Sequence, residues 1–149
     1  MNSKYVVYNA VIAAIYVALT VINPIGTMAI QIRVSEMISV LPFFNRKFIP
    51  GVLIGVGIAN MFSGLGILDV IVGVGIGAVA YTISYFVKNV WINVVIFSLL
   101  CGVFVGWMLL AVAELPFWIS FFSITISTLI TTSIGALIFK SIGKRITEI

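Results

Sequence analysis

Charged positions divide the chain into long apolar runs. Between Lys4 and Arg33 lie 28 uncharged residues, broken at Asn23-Pro24-Ile25-Gly26. A first helix from about Tyr5 to Ile22 therefore fits the roughly 17–25 residues that a membrane crossing needs. Uncharged runs over 48–68, 70–87, 89–113 and 115–139 predict four more spans. The remaining piece, Val34 to Asn45, has only 12 residues and contains Glu36 and Pro42. At helical rise it covers about 18 Å of a core roughly 30 Å thick, and it crosses only if it starts nearer Thr27.

The charges between the spans test this count, because Lys and Arg in short loops collect on the cytoplasmic side. Six spans with the N-terminus inside place Lys4, Arg46, Lys47, Lys88, Lys140, Lys144 and Arg145 together and leave Asp69 and Glu114 for the outer loops. Five spans lose that pattern. The expectation is an all-α, polytopic membrane bundle, a single domain over 1–149, with six transmembrane helices, the second short or irregular, and both termini cytoplasmic. The first apolar stretch runs past the usual length of a signal-peptide core and ends in no small-x-small site, and no lipidation motif is present.

Composition agrees. Hydrophobic residues make up 62% of the chain and charged residues 8%, against roughly 45–50% apolar in soluble proteins. The solvent for most of it is therefore lipid. The absence of histidine removes haem ligation, most zinc chemistry and the usual neutral-pH base, so neither a metal ion nor a cofactor is expected. Cys101 stands alone in an apolar run and argues for neither a disulfide nor a thiolate site. The net charge of +4 is spread along the chain rather than clustered with aromatics, which speaks against nucleic acid. No phosphate loop of the G-x-x-x-x-G-K-[ST] type and no inverted repeat is found, so uphill transport would draw its energy from another subunit.

Arg33 and Glu36 are the two charges that fit no plain loop. Ionisable groups at membrane depth cost about 2.5–3.5 kcal/mol each on insertion scales and mark functional sites by default. The stretch Ile30-Gln31-Ile32-Arg33-Val34-Ser35 alternates and, if extended, puts Gln31, Arg33 and Ser35 on one side, with Glu36 opening the helix that follows. Two readings stand side by side: Arg33 and Glu36 neutralise each other, or they form a polar ligand site with a donor beside an acceptor. Asn60 and Ser63 at the end of the third span, with Asp69 just beyond, carry polar groups to the same region. Packing supplies a second pattern. Ala10, Ala14 and Ala18 repeat every four residues, a smooth face that packs inside or docks a partner; the pairs Gly51/Gly55, Gly73/Gly77 and Gly102/Gly106 suit internal packing. Gly75-x-Gly77-x-x-Ala80 follows no strand and is set aside as a nucleotide fingerprint. Trp91, Trp107, Trp118, Tyr81 and Tyr85 are expected as interface anchors and core, with one or two free to sandwich a planar ligand.

These residues resemble a known family, the queuosine-precursor transporter (QueT) family, whose members are substrate-binding S components of energy-coupling factor (ECF) importers. The resemblance covers most of the chain. It rests on Ala10 and Ala14 continuing to Ala18-Leu19-Thr20, on Gln31-x-Arg33-x-Ser35-Glu36, on Pro50-Gly51 leading to Gly55 and Ala59-Asn60, and on Leu68-Asp69 with Gly73. After Gly73 the chain departs from the family pattern, reading Val74-Gly75-Ile76-Gly77-Ala78 where polar hydroxyl residues are expected. The resemblance implies a six-helix S component of the cell membrane that captures a deazaguanine base and docks through its Ala10/Ala14/Ala18 face onto a transmembrane coupling subunit bound to two ATP-binding-cassette ATPases. Glu36 would accept the N–H and amino group of a guanine-like edge. Arg33 would donate to the ring carbonyl or hold Glu36, with Gln31, Asn60 and Ser63 completing the set.

Rival readings make different demands. Another vitamin-like compound would keep the class and change the substrate. A proton-coupled carrier or channel would titrate Glu36 and work alone, and a scaffold subunit would use the alanine face and bind no solute. A membrane enzyme has no catalytic residues to offer here: no carboxylate cluster and no His or Cys nucleophile system.

Overall fold

The computed structural model of the protein describes residues 3–23 and 32–143. Helix α1 spans Ser3–Ile22. Arg33 is extended, and Val34–Val40 then winds as a 3-10 helix that passes into the single α-turn α2, Leu41–Phe44, with Pro42 in its first turn. After the 3-10 turn Arg46–Phe48, capped by the Asn45 side chain, come α3 (Ile49–Met61) and α4 (Ile67–Ile83). Pro50 sits in the first turn of α3, where its missing N–H costs nothing. Gly66, at φ 60°, turns the chain into α4. Asn89 caps α5 (Val90–Ala113) by accepting from the N–H groups of Trp91 and Ile92, and Pro116 precedes α6 (Phe117–Ser141).

The result is an all-helical membrane bundle whose second segment is short and irregular. Among the described residues three helices, α1, α5 and α6, are individually long and apolar enough to cross a bilayer. Within the described residues the second segment is helical from Val34; Thr27 lies outside them, together with Gln31, Lys144 and Arg145. Successive helices from α3 to α6 run antiparallel, while α1 runs parallel to α3: Asn9 meets Gly51 and Tyr16 meets Gly55. Lys4, Arg46, Lys47, Lys88 and Lys140 therefore share one end, tied by the Arg46 guanidinium donating to the Ser84 carbonyl at 3.2 Å and the Asn9 amide donating to the Lys47 carbonyl at 3.0 Å. The positive-inside rule puts that end in the cytoplasm.

Small residues set the packing. A methyl on Gly51 would lie 2.7 Å from the Asn9 carbonyl oxygen, and one on Gly55 would lie 2.9 Å from Tyr16 Cβ, so α1 and α3 meet backbone to backbone. Gly73 and Gly77 admit side chains of α3, and Gly102 and Gly106 those of α6, so all three glycine pairs serve internal packing. Gly135 does the same for the irregular segment, whose backbone at Met37 would stand 2.5 Å from an added methyl. Some intramembrane hydroxyls are satisfied within their own helix: Ser98 donates to the Val94 carbonyl (2.8 Å) and Thr131 to that of Ser127 (3.0 Å). Exposed Trp107 and Trp118 stand near the outer ends of α5 and α6, and Trp91 at the cytoplasmic start of α5, where indoles anchor at the bilayer interface.

Candidate functional site

The irregular second segment is what brings polar groups to the middle of the outer half of the bundle. The Asn23 side chain donates to the Ile32 carbonyl and ties the end of α1 to the extended entry. Arg33 keeps an extended backbone (φ −96°, ψ 102°), and its carbonyl accepts from the Glu36 N–H at 3.1 Å as the helix opens. Glu36 thus falls in the first helical turn, where the sequence places it, and turns inward with only 8% of its surface exposed.

Arg33 and Glu36 do not simply neutralise each other. The Arg33 guanidinium reaches across to α4, with Nη2 3.5 Å from Asp69 Oδ2, and Nη1 donates to Asn60 Oδ1 at 3.4 Å. Asp69 was expected in an outer loop; α4 begins at Ile67, so the carboxylate lies in its first turn, 1% exposed, held inside by Arg33. Asn60 completes the clasp by donating through Nδ2 to the Asp69 carbonyl at 2.9 Å, a bond that the missing side chain of Gly73 makes room for. Glu36 is held by neutral donors instead: Tyr16 Oη at 3.3 Å from Oε1 and Ser39 Oγ at 2.7 Å from Oε2. Tyr81 donates to the Ser39 carbonyl at 2.9 Å and closes the ring of contacts.

All of these but Tyr16 line one narrow cavity of about 30 Å³ between the second segment, α3, α4 and α5. Arg33, Glu36, Asn60 and Asp69 form its polar wall, Gly73, Ile76 and Gly77 its smooth α4 wall, and Tyr81, Phe97 and Cys101 the inner end. Of the residues singled out in the sequence, the structure gathers Glu36, Arg33 and Asn60. Ser63 stands apart in the α3–α4 connection, where its hydroxyl accepts from the Leu65 N–H at 3.4 Å, and Gln31 lies outside the described residues. Tyr16, Ser39 and Phe97 were not foreseen. Ser39 follows Glu36 by three residues and helical spacing would have found it; nothing local marks Tyr16, which reaches Glu36 through the α1–α3 packing. A wider cleft of about 470 Å³ opens at the cytoplasmic end among Phe43, Phe44, Arg46, Lys47 and Lys88, with Arg46 lying 4.1 Å above the Tyr85 ring, but none of the candidate residues is there.

On α1 the stripe divides. Ala13 and Tyr16 face inward, whereas Ala10, Ala14 and Ala18 are exposed on the outer face of the bundle.

The fold is an apolar, multi-pass helix bundle with a charge-lined cavity between its second segment, α3, α4 and α5, the architecture of an integral membrane protein. Residues 6–144 match the family model described as QueT transporter. A curated relative, the queuosine precursor transporter QueT of Lactococcus lactis subsp. cremoris (strain MG1363), is 32% identical over 154 residues, covering 92% of this chain and 90% of its own length. The chain belongs to the QueT transporter family. No solved structure matches it.

Proposed function

We propose that this chain is the substrate-capturing S component of an ECF-type importer, that its solute is a queuosine precursor with a deazaguanine ring, and that Glu36 reads the ring's N–H and amino group. The buried Glu36 carboxylate carries the reading: held in the cavity by two neutral donors, the Tyr16 and Ser39 hydroxyls, it is an acceptor that a guanine-like edge satisfies with charge-assisted bonds. Family membership and the relative's name support the substrate class. Arg33 and Asn60 offer donor and acceptor groups to the rest of the ring, and Tyr81 and Phe97 offer apolar faces. A cavity of about 30 Å³ has room for a water or two but not for a fused bicycle, so entry requires the second segment and α4 to part, breaking the Arg33–Asp69 clasp. The exposed Ala10/Ala14/Ala18 face would seat a transmembrane coupling subunit, with two ATPases supplying the energy.

Calorimetric titration of the detergent-solubilised protein with deazaguanines, guanine and a set of vitamins tests this. Submicromolar binding of one deazaguanine is expected. Glu36→Gln should weaken it by about 10- to 100-fold, the value of one or two charge-assisted bonds. Binding of a vitamin alone would move the substrate and keep the class, and proton-driven uptake by the isolated chain in liposomes would replace the S-component reading with a carrier.

A further inference from the structure

The cleft at the cytoplasmic end takes no part in the site above, yet its basic groups are held in place from both sides. Asn45 accepts from the Lys47 N–H at 3.1 Å and starts the 3-10 turn that sets Arg46 beside Lys47, while the Asn9 amide donates to the Lys47 carbonyl at 3.0 Å. On the facing side the chain leaves α4 at Ser84, and the Asn93 amide donates to the Val87 carbonyl at 2.8 Å, so that α5 fixes the connection that carries Lys88. Arg46 joins the two walls: Nη2 donates to the Ser84 carbonyl at 3.2 Å, and the guanidinium lies 4.1 Å above the Tyr85 ring. Both contacts orient the charge without neutralising it and leave the rest of the planar fork unused. Among the described residues Lys88 makes no hydrogen bond or ion pair. Arg46, Lys47 and Lys88 line a cleft of about 470 Å³ that no acid lines.

The remaining lining is not what a soluble anion needs. Phe43, Phe44 and Val87 share the cleft with the bases, and the adjoining Phe86 is 85% exposed beside an exposed Tyr85. Exposed aromatics next to cytoplasmic bases mark the headgroup layer of the inner leaflet, where anionic lipids collect. We propose that the cleft binds the phosphate of an anionic phospholipid drawn from that leaflet. Arg46 forks onto the phosphate oxygens, Lys47 and Lys88 flank it as point charges, and the apolar wall receives the glycerol and the first acyl carbons. The lipid ties the second segment to the α4–α5 connection, whatever the solute is. A zwitterionic lipid carries the same phosphate but brings a cation of its own into a cleft already lined by bases, so the site selects net negative charge.

Native mass spectrometry of the full chain in detergent, titrated with phosphatidylglycerol or with phosphatidylcholine of the same acyl chains, tests this on wild type, Arg46→Gln, Lys88→Gln and Lys140→Gln. Lys140 is a cytoplasmic base outside the cleft. Wild type is expected to bind phosphatidylglycerol at least about tenfold more tightly than phosphatidylcholine. Arg46→Gln and Lys88→Gln should each weaken phosphatidylglycerol about fivefold, the contribution of one basic residue at an anionic surface, and Lys140→Gln should leave it within about twofold. Tryptophan-monitored melting establishes folding; if Arg46→Gln does not fold, Lys88→Gln decides, because no hydrogen bond or ion pair is lost with that side chain. Equal binding of the two lipids, or an equal loss in Lys88→Gln and Lys140→Gln, overturns the proposal. Displacement of the lipid by glycerophosphate at matched concentration overturns the lipid assignment in favour of a free phosphate.

Discussion

At the scale of single residues, glycine and the buried carboxylates carry the argument. Gly51 and Gly75 are both helical glycines, yet only one is constrained: a methyl at Gly51 would meet the Asn9 carbonyl oxygen at 2.7 Å, whereas nothing stands within 4 Å of one at Gly75. Gly51→Ala is expected to cost about 1–3 kcal/mol by forcing α1 and α3 apart. Gly75→Ala should be neutral or stabilise by up to about 1 kcal/mol through the unfolded chain. Thermal melting of the two variants in the same detergent checks the contrast, and an equal loss in both would rule out the close α1–α3 contact. Sequence reasoning found Arg33, Glu36 and Asn60 because charge and amide groups are conspicuous in an apolar chain. It missed Tyr16 and Phe97 because an aromatic in a membrane helix has the same local signature whether it faces lipid, core or a cavity.

Among the helices, α1 shows how one element serves two surfaces. Its inward side carries Asn9, Ala13 and Tyr16, and Asn9 Oδ1 accepts from the Gly51 N–H at 2.7 Å. The outward side presents Ala10, Ala14 and Ala18. Ala14→Trp should therefore abolish co-purification with a coupling subunit and its ATPases while leaving solute affinity within about twofold, because the indole points away from the cavity and the α3 contact. Intact assembly and transport in that variant would remove the docking role from this face. The alanine repeat was plain in the sequence; which side of α1 the bundle would cover was not, since α1 is apolar nearly all round and its buried face is chosen by the steric fit of Gly51 and Gly55 and the hydrogen bonds of Asn9.

For the whole molecule, the alternation of helices puts Lys88 and Glu114 at opposite ends. Lys88→Cys should react with a membrane-impermeant thiol reagent only after cells are permeabilised, and Glu114→Cys should react in intact cells. Cys101, buried at 6% exposure, provides a silent background. Reversed labelling would invert the bundle and with it the side from which the solute is captured. The number and approximate limits of the apolar helices, the short second segment and the basic cytoplasmic end follow from the sequence, because insertion of each segment depends on its own hydrophobicity and the charges flanking it. Asp69 shows where that local logic ends: read along the chain it marks a loop, but in the fold it is a buried side chain paired with Arg33. Tertiary structure alone decided that pairing, the reach of Tyr16 to Glu36 and the cavity they share. Each arises from contacts between segments far apart in the chain, and their energy depends on which helix faces which rather than on the composition of any one.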